Sequence, residues 1–80
     1  MILEFNRNEL VEEPFERTLN MGRVIIVFNI KLSDKTTNLN TGHKFNYQNE
    51  SYEIMNRESI DSPQNYVKFN CVHKVADKPS

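Results

Sequence analysis

From Arg23 to Ser33 the chain reads Arg-Val-Ile-Ile-Val-Phe-Asn-Ile-Lys-Leu-Ser, with Val24, Ile26, Phe28, Ile30 and Leu32 at every second position. Successive side chains of a strand point to opposite sides, so this spacing predicts a strand with one buried face. Each of the five would stabilise the fold by roughly 1.5–3 kcal/mol if fully buried, which makes residues 23–33 the expected spine of a sheet. A charge placed at its centre, as in Ile26→Asp or Phe28→Asp, is expected to abolish folding. A second alternating run, 66–75, sets Val67, Phe69, Cys71, His73 and Val75 on one side and Lys68, Asn70 and Lys74 on the other. Two shorter runs, 44–47 and 52–56, read as strands joined by the turn Gln48-Asn49-Glu50-Ser51. Asp61-Ser62-Pro63-Gln64-Asn65 reads as the next turn, and the polar tail 76–80 as a frayed end.

The first 22 residues are less regular. Residues 2–5 predict a short strand with Leu3 and Phe5 on one face, and Asn8 is placed to cap a brief helical turn through Glu9, Leu10 and Val11. Pro14 stops that turn from lengthening, and residues 14–21 offer a second short helix ended by a left-handed Gly22. The apolar residues Leu10, Val11, Phe15, Leu19 and Met21 are expected to cover an open face of the sheet, since a sheet needs a second layer. Residues 34–43 read as a polar loop longer than an ordinary hairpin connection. The expected fold is therefore mainly β, with α+β as the variant. It is a four- to five-stranded antiparallel meander or small barrel of the SH3-like or OB type, with a short N-terminal helix.

Composition narrows this picture. Eighty residues make one domain with a thin core, since a chain of this size buries only about 60% of its unfolded surface. Hydrophobic residues at 38%, charged residues at 26% and a net charge of −1 predict an ordered globule. The expected division is 1–22 as an N-terminal segment, 23–75 as the β meander and 76–80 as tail. Residues 1–16 hold five glutamates against Arg7, a net of −4, whereas 17–80 hold nine bases against six acids, a net of +3. The small total thus hides a dipole. No stretch approaches the roughly 20 apolar residues that a membrane helix needs, and the start lacks a basic segment followed by an apolar run. A cytoplasmic, reducing setting with no membrane partner is the expectation.

Few residues suggest catalysis. Cys71, His43 and His73 are the only strong nucleophile, base or soft-metal candidates, too few for a zinc site. Cys71 and His73 share the inward register of the last strand, where a cysteine acts as a small apolar filler and a histidine as a rim residue. The pairs Glu12 with Glu13 and Glu50 with Glu53 read as solvated faces, and Asn49-Glu50-Ser51 as a turn rather than a glycosylation acceptor. With only Gly22 and Gly42, a phosphate-cradling loop is excluded. No enzyme activity, cofactor or metal is expected. Nucleic acid is a further partner class, because Phe45, Tyr47, Tyr52 and Tyr66 would lie on neighbouring strands near Lys44, Arg57 and Lys68. The acidic N-terminus weighs against it.

The segment His43-Lys44-Phe45-Asn46-Tyr47-Gln48-Asn49-Glu50-Ser51-Tyr52-Glu53-Ile54, with Asp61-Ser62-Pro63 and Tyr66-Val67-Lys68-Phe69-Asn70-Cys71, resembles the closing hairpins of small phage head-closure or head-to-tail adaptor proteins. The resemblance spans residues 43–71 and implies a β-barrel that docks to other virion proteins through exposed loops. Eleven asparagines beside a single alanine fit a gene of an AT-rich genome, such as that of a phage or mobile element. Two protein-binding readings follow. In the first, the chain inhibits a host or defence protein by laying Glu9, Glu12, Glu13 and Glu16 on a basic surface. In the second, a virion connector, the loop bearing Lys35, Asn38, Asn40 and His43 orders only within a symmetric ring. The third reading is the nucleic-acid module, in which Lys35, Lys44 and Arg57 would contact phosphates.

Overall fold

The computed structural model describes residues 2–60 and 65–74. Six strands form one sheet: β1 (Leu3–Phe5), β2 (Phe15–Thr18), β3 (Val24–Lys31), β4 (Lys44–Tyr47), β5 (Glu50–Ile60) and β6 (Tyr66–Lys74). Their spatial order is β1-β4-β5-β6-β3-β2. β1 runs parallel to β4 and every other pairing is antiparallel, so the sheet is mixed, and among the described residues β1 and β2 do not pair to close it into a barrel. Only β4, β5 and β6 follow one another as the expected meander. β1 joins the free edge of β4 in a register that aligns Leu3 with Phe45 and Phe5 with Tyr47, which buries Phe5.

The short N-terminal helix is not formed. Asn6, rather than Asn8, caps a single 3-10 turn, Arg7–Glu9, and Glu9 reaches back to the Asn6 N–H at 2.8 Å. Leu10 then bridges Ile30 on the outer side of β3, and the Val11 N–H donates to the Asn29 carbonyl at 2.8 Å. Residues 6–9 therefore carry the chain from the β1 edge of the sheet to its β3 edge. The five steps from Phe5 to Leu10 span at most about 17 Å, so the sheet must curl strongly. Residues 14–21 do not become a helix either, because the edge of β3 offers a strand partner. Phe15–Thr18 pairs with Val27 to Val24, and Pro14 falls in the unpaired stretch before it, where no ladder N–H is required.

The curled sheet wraps one core. Phe5, Leu10, Phe28, Ile30, Leu39, Phe45, Tyr47, Ile54, Val67, Phe69 and Cys71 fill the concave side. Phe28 sits at its centre, edge-on to Phe45 at 5.0 Å, Tyr47 at 5.5 Å and Tyr52 at 4.8 Å between ring centroids. The alternation expected of β3 holds for Phe28 and Ile30, but Val24 and Leu32 are exposed. Its opposite face is buried too, at Ile25, Val27 and Asn29, the last of these bonded to Glu12. A strand in the middle of a coiled sheet is covered on both sides, which one-face alternation does not anticipate. Of Leu10, Val11, Phe15, Leu19 and Met21, the residues expected to cover the sheet, only Leu10 enters the core. Phe15, Leu19 and Met21 stay exposed.

Two local features set the rest. The β4–β5 turn is the two-residue pair Gln48 and Asn49, both with positive φ (50° and 65°), as the right-handed strand twist requires. β5 is longer than predicted and carries a bulge at Met55, because Ile54 pairs with Cys71 and Asn56 with Asn70. The extra residue reverses the alternation. Met55 and Asn56 turn outward, whereas Arg57, aligned with Phe69, turns toward the core. The turn predicted at 61–65 falls mostly outside the described residues, as do Val75 and the tail 76–80.

Candidate functional site

The loop that the sequence offers as a contact surface is built as structure. Residues 34–43 begin with one helical turn, α1 (Asp34–Thr37), entered through Ser33, whose carbonyl and N–H both bond the buried Thr36 hydroxyl at 2.9 Å. Arg57, freed by the bulge to face inward, donates to the Thr36 carbonyl at 2.5 Å and to the Leu39 carbonyl, with its guanidinium 5.6 Å from the Phe69 ring centroid. Leu39 closes the core beneath it. Asn38 ends α1, and Asn40 donates its N–H to His43 Nδ1 at 2.9 Å. Nδ1 is thus an acceptor, so the neutral ring carries its proton on Nε2. The loop holds its shape through contacts within the chain.

The acidic segment is also largely engaged. Desolvation pushes the Glu9 carboxyl up, but the Asn6 N–H and the Lys35 ammonium 3.0 Å away outweigh it and hold its pKa below the usual value. Lys35 further donates to the Glu4 carbonyl at 2.9 Å and lies over Phe5. Glu12 accepts from the Asn29 amide at 2.5 Å, and Glu13 pairs with Arg7. Of the four predicted acidic contacts, only Glu16 on β2 has no polar partner among the described residues. Lys35 of the loop meets Glu9, whereas Glu16 lies on β2 at the far edge of the sheet. Of the expected stacking platform, Phe45 and Tyr47 are buried, Tyr52 packs against Phe28 and Phe45, and Tyr66 is half-buried on β6.

Burial pushes the Cys71 thiol up, so it stays protonated and weakly nucleophilic. His73 pairs with Glu50 at 2.9 Å on the rim.

The surface that the sequence reading missed lies at the opposite end, on the β2–β3 hairpin. Leu19 N–H bonds the Arg23 carbonyl at 2.7 Å and closes a tip in which Met21 (φ 72°) and Gly22 (φ 77°) are both left-handed. Gly22 adopts the positive φ expected of it, but as half of a hairpin tip. Met21 is 101% exposed, and Leu19 and Met55 stand 39% and 37% exposed nearby. Beneath the tip, on the convex face, Arg17, Leu19, Arg23, Ile25, Met55, Asn56 and Asn70 line a groove of about 260 Å³. Arg23 Nη2 rests 3.8 Å from Met55 Sδ. Neither Arg17 nor Arg23 has a carboxylate partner among the described residues. The available signal was Leu19-Asn20-Met21-Gly22, in which Asn20 and Gly22 are residue types that favour a tight turn and so allow the segment to fold back as a hairpin. No protein-family model, curated protein or solved structure matches the chain, so this surface is read from its own chemistry.

Proposed function

We propose that the chain is a non-enzymatic protein-binding module that docks through the β2–β3 hairpin end. The observation that carries the reading is Met21, a large apolar side chain wholly in solvent and held in a left-handed conformation unfavourable to it. Folding gains nothing from that arrangement, whereas a partner surface would cover it together with Leu19 and Met55. Methionine suits such a contact because its flexible thioether adapts to an irregular surface. Inhibition of a host or defence protein, the use expected from the sequence, requires no more than such occlusion, with the hairpin end replacing the acidic segment as the main contact. A photo-crosslinking residue placed at position 21 and, separately, at position 13 tests the assignment in a lysate of a low-GC bacterium. A discrete adduct from position 21 and none from 13 is expected, and the reverse would return the contact to the acidic segment.

A further inference from the structure

We infer that the convex groove selects a partner segment in which a large apolar side chain stands beside a carboxylate, an inference that rests on the docking reading above. The groove pairs two kinds of surface. Leu19, Ile25 and Met55 form an apolar floor, and Arg17 and Arg23 stand at it with no carboxylate of their own among the described residues. Their placement follows from the fold: Arg17 lies in register with Ile25, and Arg23 is fixed by the hairpin bond to Leu19 and by its contact with Met55. Guanidinium groups recognise carboxylates in a planar, two-pronged geometry, and low-dielectric surroundings strengthen that attraction. Among the described residues, Arg17 and Arg23 are the only charged ones that line the groove, and the nearby Glu58 carboxylate is held by the Asn70 amide at 3.1 Å.

A second copy of the chain is a poor occupant of this end. Two-fold antiparallel pairing of β2 with itself, centred on either middle residue, sets Glu16 against Glu16 or Arg17 against Arg17, and like charges directly opposite are destabilising. Symmetric pairing through this edge is therefore disfavoured, and three of the chain's own N-terminal acids, Glu9, Glu12 and Glu13, are already engaged within the chain, so the positive charge of the groove points to a different protein that supplies the acid.

The probe is a random-peptide display library selected on the full chain, followed by synthetic copies of the enriched peptides. The expected result is enrichment of sequences with Asp or Glu adjacent to a Leu-, Met- or Phe-sized residue. Their binding should weaken at least tenfold, and lose most of its salt dependence, in Arg17→Gln/Arg23→Gln but not in Lys44→Gln. Enriched peptides that lack carboxylates, or that bind the arginine variant equally, yet are lost in Leu19→Ser/Met55→Ser would overturn the carboxylate clamp while leaving the docking reading in place. Peptides that bind the Leu19→Ser/Met55→Ser variant as tightly as the natural chain, or no enrichment over bare support, would overturn both. Circular dichroism melts of each variant separate loss of binding from loss of fold, since all four side chains are exposed.

Discussion

The two ends of the sheet use their residues in opposite ways. At the β1–β4 end a segment that is polar by composition, residues 34–43, becomes part of the core's wall, with Thr36 and Leu39 buried, Arg57 bonded to their carbonyls and Lys35 paired with Glu9. At the β2–β3 end a segment rich in apolar residues stays in solvent, and its arginines lack carboxylate partners among the described residues. Polarity along the chain thus misreports location at both ends. What decides location is whether a side chain finds its complement once the sheet has curled, and the polar loop finds one where the apolar hairpin does not.

The contrast can be broken most severely at the centre. Phe28→Asp places an unpaired charge among three aromatic rings and should unfold the chain, because the penalty of several kcal/mol approaches the whole stability of a small domain. Met21→Asp should leave the circular dichroism melt where it is. Equal damage from both would mean that the hairpin tip is packed after all.

Arg57→Met comes next. It strips the Thr36 and Leu39 carbonyls of a charged donor and should lower stability by about 2–3 kcal/mol in urea titration, against less than about 0.5 kcal/mol for Arg23→Met. If the two arginines proved equal, the loop would not depend on Arg57. Thr36→Val, which removes a buried hydroxyl bonded to Ser33 on both sides, should cost about 1 kcal/mol.

Smaller effects sharpen the comparison. The Glu9 carboxyl titrates below its unfolded value of 4.5, so the folded state favours its ionised form. Its contribution is present above that pH and fades as pH falls through the lower folded value. The pair with Lys35 is partly exposed and should supply less than about 1 kcal/mol. Lys35→Met should therefore flatten the stability profile below pH 5 and change little else, and an unaltered acid limb would show that the pair is idle. At the other end Met21→Asn relieves the left-handed strain and should raise stability by about 0.5 kcal/mol while weakening partner capture. A melt that falls instead would give Met21 a structural role.

The sequence by itself determined that the protein is a mainly β domain, and it located β3, β4 and the strand through Val67, Phe69 and Cys71, because period-two alternation is a local signal written into consecutive residues. It also marked the Gln48-Asn49 turn and the capped turn near Asn8, displaced by two residues. What only the tertiary structure decided depends on contacts between distant segments. The parallel docking of β1 on β4 and the strand at Phe15–Thr18 arise because free edges take whichever segment reaches them. The bulge at Met55, invisible in a pattern that assumes strict alternation, sends Arg57 inward to hold the loop and Met55 outward to the groove. The loop around Lys35 and the acids Glu9, Glu12 and Glu13 found partners at home, whereas Arg17 and Arg23 did not. Pairing of this kind is a property of the folded surface, and for that reason the candidate docking site could not be read from the chain alone.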